Sequence, residues 1–277
     1  MAVRGIWPFR RTPPLHVAKD AGKGAPVLLL HGIASSSVTF DHVIPELTPS
    51  HHVVALDLMG FGHSVAPADA QFTLDEHVDA VVTSLQRLTV KKPLSLVGHS
   101  LGSLIAVRLA SKYPQYVKHL VLVSPPVYLP SDSMADPLDR AQMDVYQRLY
   151  HFMRDNPGFT QTAAHALERI SPIRGLIDVS EDNWRAFSLS LERCIESQST
   201  VTDLAQVHAP IDLIYGTLDP FLAPSGLRVI ERMRGVATTR VDGVDHVIRP
   251  KMAAELLRII DDPSPPTAPI RLVGGDD

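Results

Sequence analysis

The sequence predicts an α/β fold: a mainly parallel central sheet with helices on both faces, interrupted by one all-helical insertion. Three observations carry this. Short, nearly all-apolar runs recur at Val27–Leu30, Val53–Leu56, Leu94–Val97, Leu120–Val123 and Ile211–Tyr215. Helical patterns lie between them, and the alternation then lapses for roughly 75 residues before it resumes. A strand covered on both faces loses the in–out rhythm of a half-buried one, so unbroken apolar runs mark a parallel sheet between helix layers.

Residues 1–24 read as a basic arm, with Arg4, Arg10, Arg11, Lys19 and Lys23 against Asp20. The arm also holds Ile6, Trp7 and Phe9, but no apolar run of signal-peptide length, and a frayed terminus is the expectation. Residues 25–126 and 207–260 form the sheet domain. Within it, Thr73 followed by Glu76 is a capping-box signal, and Leu74, Val78, Val81, Val82, Leu85 and Leu88 then keep one apolar stripe. The next helix opens after Ser100, is apolar almost all round, and stops at Tyr113-Pro114. Past Ser124-Pro125-Pro126 the strand pattern disappears. Residues 127–206 are expected to form a helical lid, since Met143, Tyr146, Leu149, Tyr150 and Met153 fall at helical spacing, as do Trp184, Phe187, Leu191 and Cys194. Residues 261–277, with four prolines and a Gly-Gly-Asp-Asp end, read as a disordered acidic tail.

Composition excludes several classes. The 277 residues are 45% hydrophobic and 20% charged, too apolar for a disordered chain. A net charge of −4 supplies no general basic surface for nucleic acid. The single cysteine, Cys194, excludes a disulfide framework and points to the cytoplasm. No segment has the roughly 20 apolar residues of a bilayer span, so stable membrane insertion is not expected. The histidines are scattered and the acids lack ligand spacing, so no metal is expected.

The chemistry centres on Gly98-His99-Ser100-Leu101-Gly102, a G-x-S-x-G run that directly follows a strand and opens a helix. This context makes a turn so sharp that the serine stands exposed above the sheet, at the positive end of the helix. A serine hydroxyl needs a base to take its proton. Of 13 histidines, His246 is favoured because it lies in a polar loop after the strand-like Thr239–Val241. His51-His52 before a strand, His77 on a helix, and His151 and His165 in the insertion have ordinary structural readings. Asp219, in the loop after Ile211–Tyr215, is the orienting acid; Asp245 adjoins His246 too closely, and Asp212 precedes its strand. The expected oxyanion donors are the backbone N–H groups of Leu101 and of Ile33, with Gly32 permitting close approach and His31 bracing the loop.

On these residues the chain resembles the lid-bearing serine branch of the α/β-hydrolase superfamily. His31-Gly32, Asp57-Leu58-Met59-Gly60-Phe61-Gly62-His63-Ser64, the Ser100 elbow, Gly216 with Asp219, and His246 carry the resemblance. It implies the α/β-hydrolase fold, a Ser100–His246–Asp219 triad, an Ile33/Leu101 oxyanion hole, no cofactor, and a small acyl substrate held between sheet and lid. It also implies that Asp57 and Ser64 are scaffolding. The glycines there do not make a dinucleotide loop, because Val65 occupies the third glycine position. A serine nucleophile argues against the branches that use an aspartate. Val247 after His246, and an oxyanion loop reading Ile33-Ala34-Ser35-Ser36-Ser37, depart from the carbon–carbon hydrolases of ring-cleavage products. Arg193 beside Cys194 reads as a solvated charge next to a packed thiol.

The expected activity is hydrolysis of a carboxylic ester through an acyl-enzyme. The alternatives are carbon–carbon hydrolysis on the same triad, acyl transfer to an alcohol or peroxide, and a slow-turnover ligand receptor. Pocket candidates are His99, Tyr146, Tyr150, Trp184, Phe187 and Val247.

Overall fold

A computed structural model describes residues 12–88, 90–129, 134–171, 173–265 and 270–274. Eight strands form one sheet: β1 (Val17–Ala21), β2 (Ala25–Leu30), β3 (His51–Leu56), β4 (Leu94–His99), β5 (Val117–Val123), β6 (Ile211–Gly216), β7 (Val236–Val241) and β8 (Arg271–Val273). Their spatial order is β1-β3-β2-β4-β5-β6-β7-β8. Only the β1–β3 pairing is antiparallel. Each predicted apolar run lies inside one of these strands.

Successive residues of a strand face opposite layers, and the two cores divide accordingly. Leu28, Leu30, Leu96, Leu120 and Leu122 pack with α2 (Leu74–Arg87) and α3 (Leu101–Lys112). Val27, Leu29, Val97, Val121 and Val123 pack with Met252, Leu256 and Ile259 of α9 (Pro250–Asp261) and with Phe40 and Leu47. At about 1.5–3 kcal/mol per fully buried large apolar side chain, this double coverage is the main stabilising term. The Thr73 hydroxyl caps α2 by accepting the Glu76 N–H at 3.2 Å. Glu76 replies one and two residues further out than the box pattern expects, accepting the Phe72 and Gln71 N–H groups.

Between β5 and β6 the described residues contain no strand. They form α4 (Pro137–Asp155), α5 (Pro157–Ile170), α6 (Trp184–Ser190), a π-helical turn over Leu191–Glu196, and a short α7 (Thr200–Leu204). After β6 comes α8 (Pro224–Glu231).

Both chain ends depart from expectation. The reading of residues 1–24 as a loose arm fails from Leu15 onward: Leu15 is buried, and Val17–Ala21 pair with β3. The apolar Leu15 and Val17 can be buried while Lys19 and Asp20 stay near the sheet edge. Ile6, Trp7 and Phe9 lie outside the described residues. The tail is likewise not disordered throughout. Arg271–Val273 pair in parallel with β7, because a short β-prone run meets an edge whose N–H and C=O groups need partners. His51 and His52 sit within β3 and Asp212 within β6, not ahead of them.

The chain leaves β2 for β3 on one side and returns at β4 on the other. Ligand sites of open parallel sheets form at such a switch, beyond the carboxyl ends of the strands. His31 to Ile33 leave β2 there, and Ser100 leaves β4.

Candidate active site

Ser100 has φ 52° and ψ −122°, a backbone state that costs a non-glycine residue on the order of 1–3 kcal/mol. Its surroundings hold it. The Ser100 N–H donates to the Val123 carbonyl at 3.0 Å, and the Ser103 hydroxyl donates to the Gly98 carbonyl at 2.6 Å. Gly102 lets α3 approach β2 closely, since a Cβ there would collide with the Leu30 carbonyl oxygen. The strained turn leaves Ser100 at the head of α3, lining a cavity of about 420 Å³.

His246 lines the same cavity. Its Nδ1–H donates to Asp219 Oδ2 at 2.7 Å, and the Asp219 side chain is wholly buried. The other Asp219 oxygen accepts the Phe221 N–H at 3.0 Å. The rejected acids are engaged elsewhere: Asp245 pairs with Arg249, and Asp212 with His119. His99 Nε2–H donates to the His246 carbonyl at 2.9 Å, tying the elbow to the loop that carries His246. Burial, reinforced by His246, pushes the His99 imidazole down to about 3, so this contact is made by a neutral ring.

The loop after β2 is braced from below. The Leu58 N–H donates to His31 Nε2 at 2.8 Å, which leaves the proton on Nδ1 to donate to the Gly32 carbonyl at 2.7 Å. Complete burial holds His31 down to about 4. In a trans peptide the N–H points opposite to the preceding C=O. With the Gly32 carbonyl drawn to His31, the Ile33 N–H faces away from it, and Ile33 lines the cavity. The Asp178 N–H donates to the Ala34 carbonyl at 2.8 Å, joining this loop to the helical segment.

Among the described residues, no Lys, Arg, Asp or Glu lines the cavity. Most of its polar side chains are already engaged. Ser35 and Thr39 bond to each other, Thr160 donates to the Met153 carbonyl, and Tyr150 pairs with Tyr128. Of the predicted pocket residues, His99, Tyr150, Phe187 and Val247 line the cavity. Tyr146 and Trp184 do not. The Tyr146 hydroxyl is occupied by the Pro220 and Leu222 carbonyls, and its ring lies 5.3 Å from that of Tyr128. Trp184 packs beside Phe187 at 5.5 Å against the core. Sequence reasoning missed Phe159, Ala163 and Leu167, whose spacing of four residues marks one face of α5, and it missed Phe221. Phe159 and Leu167 are more than half exposed as well as lining the cavity, which places them at its mouth. Cys194 is buried with its thiol on the Phe72 carbonyl, and Arg193 holds the Gln71 carbonyl, so neither faces the cavity.

Comparison with known proteins agrees with this fold. The family model described as alpha/beta hydrolase fold matches residues 25–167, just over half the chain. A "probable lysophospholipase BODYGUARD 3" of Arabidopsis thaliana is 41% identical over 106 residues, 37% of this chain and 21% of that protein. A 2-hydroxymuconate semialdehyde hydrolase of Pseudomonas sp. strain CF600 is 40% identical over 107 residues, 38% of each chain. The match thus spans only a fifth to two fifths of these curated relatives. Among solved structures, a thermophilic esterase of Thermogutta terrifontis superposes with a TM-score of 0.67 at 21% identity, covering 90% of this chain and 92% of the other. Such a likeness shows a shared fold. By the matched segment, the sheet order and the strained elbow alike, the chain belongs to the alpha/beta hydrolase fold family.

Proposed function

We propose that the protein is a serine hydrolase that cleaves carboxylic esters of uncharged, mainly apolar acyl groups. One observation carries the reading: Ser100 and the Asp219-bonded His246 line the same cavity, and among the described residues no Lys, Arg, Asp or Glu lines it. Ser100 Oγ attacks the ester carbonyl carbon while His246 Nε2 takes its proton. Asp219 holds the imidazole in the tautomer that leaves Nε2 free, and stabilises the imidazolium that forms. The carbonyl oxygen, now an oxyanion, is received by the Leu101 and Ile33 N–H groups. His246 returns the proton to the departing alcohol, then activates water to release the acid from Ser100.

The similarity to a 2-hydroxymuconate semialdehyde hydrolase favours a second reading, carbon–carbon cleavage on the same serine. A substrate bearing a carboxylate would need a cation or several donors to offset its desolvation. The described lining offers no Lys or Arg, which supports the ester reading over this one.

Hydrolysis of p-nitrophenyl acetate, butyrate, octanoate and palmitate by the native chain and by Ser100→Ala tests the proposal. Turnover should fall by roughly 10⁴ or more in the variant. Equal rates in the two proteins would refute it. Cleavage of a vinylogous diketone with no ester turnover would establish the second reading.

A further inference from the structure

The fold gathers three metal-ligating side chains that the sequence keeps apart. His16 directly precedes β1, Asp57 directly follows β3, and His63 lies in the turn after it. His16 Nδ1 is 3.0 Å from Asp57 Oδ2, and His63 Nδ1 is 3.6 Å from the same oxygen. One donor atom from each of the three lies within 4.8 Å of the other two. The imidazole rings are 5.0 Å apart, tilted by 49°.

These distances suit a tetrahedral ion. Ligands about 2.0–2.1 Å from zinc stand roughly 3.3 Å from one another, and the two measured separations from Asp57 Oδ2 bracket that value. The histidines are also surplus to the needs of the buried carboxylate. Asp57 already accepts the Ser37 N–H on Oδ1 and the His63 N–H on Oδ2, each at 3.0 Å. His63, 83% exposed, nonetheless turns its Nδ1 inward, and the partly exposed His16 does the same.

We propose that His16 Nδ1, Asp57 Oδ2 and His63 Nδ1 form a binding site for a divalent transition metal of the zinc class, with the fourth position open to solvent. Two imidazoles and one carboxylate select zinc, cobalt, nickel or copper over magnesium and calcium, which prefer all-oxygen sets. On binding, the proton that His16 Nδ1 now directs at Asp57 moves to Nε2, freeing the ligating lone pair. The ion would join three segments at once. Ser64 already links two of them, accepting the His16 N–H at 2.8 Å and donating to the Asp57 carbonyl at 2.6 Å. Through Asp57 Oδ1 the site also touches Ser37, which closes the loop that begins at Ile33.

Calorimetric titration of the metal-free full chain with zinc chloride tests the assignment, with cobalt(II) absorption reporting the ligand field. The native chain should bind one ion tightly, show a tetrahedral cobalt spectrum, and gain roughly 5 °C in Tm at a hundredfold excess over Kd. His63→Ala and His16→Ala should each weaken this binding at least tenfold. Both change partly or largely exposed side chains, so folding is retained, whereas Asp57 is avoided because it braces two backbone segments. His165→Ala, an exposed histidine on α5, should bind as the native chain does. The assignment is overturned if the native chain binds no zinc, or if His63→Ala binds with unchanged stoichiometry and Kd.

Discussion

The Tyr128 hydroxyl donates to the Phe221 carbonyl at 2.6 Å, and so fastens the segment after β5 to the loop that carries Asp219. Tyr150 supports Tyr128 through its own hydroxyl, and Tyr146 holds the Pro220 and Leu222 carbonyls at 3.1 and 3.2 Å. Three tyrosines thus position residues 220–222. Phe221 in turn sets its ring 4.9 Å from that of His246. Each such hydrogen bond is worth about 1 kcal/mol net. Tyr128→Phe and Tyr146→Phe should therefore lower kcat by roughly fivefold, with little change in KM or in circular dichroism. Steady-state kinetics on p-nitrophenyl butyrate reads this, and an unchanged kcat would remove the tyrosines from any positioning role.

Asp219→Asn keeps the shape of the acid but removes its charge. Asparagine can offer His246 either an acceptor or a donor, so the ring can settle in the tautomer whose Nε2 cannot accept the serine proton. On the Ser–His–Asp template this costs about 10⁴ in kcat. By comparison Asp245→Asn, which weakens the pair with Arg249 and keeps a side-chain oxygen for the Val247 N–H, should change kcat by less than about twofold.

The contrast between Asp219 and Tyr146 shows what was legible in the chain beforehand. Asp219 stands out because strand, turn and acid follow one another within a few residues, and the same local logic singles out Ser100, His246 and Ile33 as candidates. Strands β2 to β6 were legible for a similar reason, since burial on both faces leaves continuous apolar runs; β7, which holds Thr238, Thr239 and Arg240, showed only as the strand-like Thr239–Val241. Tyr146 lies on an apolar helical stripe that packing directs either to the cavity or to the acid loop, and periodicity does not separate the two. Edge strands β1 and β8 escaped because their mixed composition matches that of a loop; only the neighbour's unpaired edge makes them strands. His16 reaches Asp57 through the β1–β3 pairing, which no spacing rule encodes, while His63 returns to it through the turn after β3.

Three buried histidines make stability depend on pH. Burial pushes His31 down to about 4, and His77 and His99 down to about 3, all from about 6.5. Their folded values lie below the unfolded ones, so the unfolded chain binds more protons as pH drops below 6.5. Stability contributed by the neutral rings is complete above that pH and is lost progressively toward 4 and 3. At about 1.4 kcal/mol per unit, His31 alone accounts for on the order of 3 kcal/mol by pH 4. Urea unfolding at pH 7, 6, 5 and 4.5 should show the decline, and His77→Gln should make it shallower.

Gly32 is the position where a single methyl group should separate activity from stability. A Cβ there would lie 3.0 Å from the Ser100 Cβ, 3.3 Å from His99 Nδ1 and 3.5 Å from Ser100 Oγ. Ser100 cannot easily yield, being held by Val123 and the start of α3, nor can His99, being held by the His246 carbonyl. The loop carrying the Ile33 N–H must instead retreat by a few tenths of an ångström. Gly32→Ala should then lose roughly 10²–10³ in kcat, the cost of one oxyanion donor. Overpacking of this size costs about 1–3 kcal/mol, so Tm should fall by only a few degrees. Kinetics and thermal unfolding on the same preparation decide it. A variant that keeps full kcat would mean that the Ile33 N–H does not serve the oxyanion.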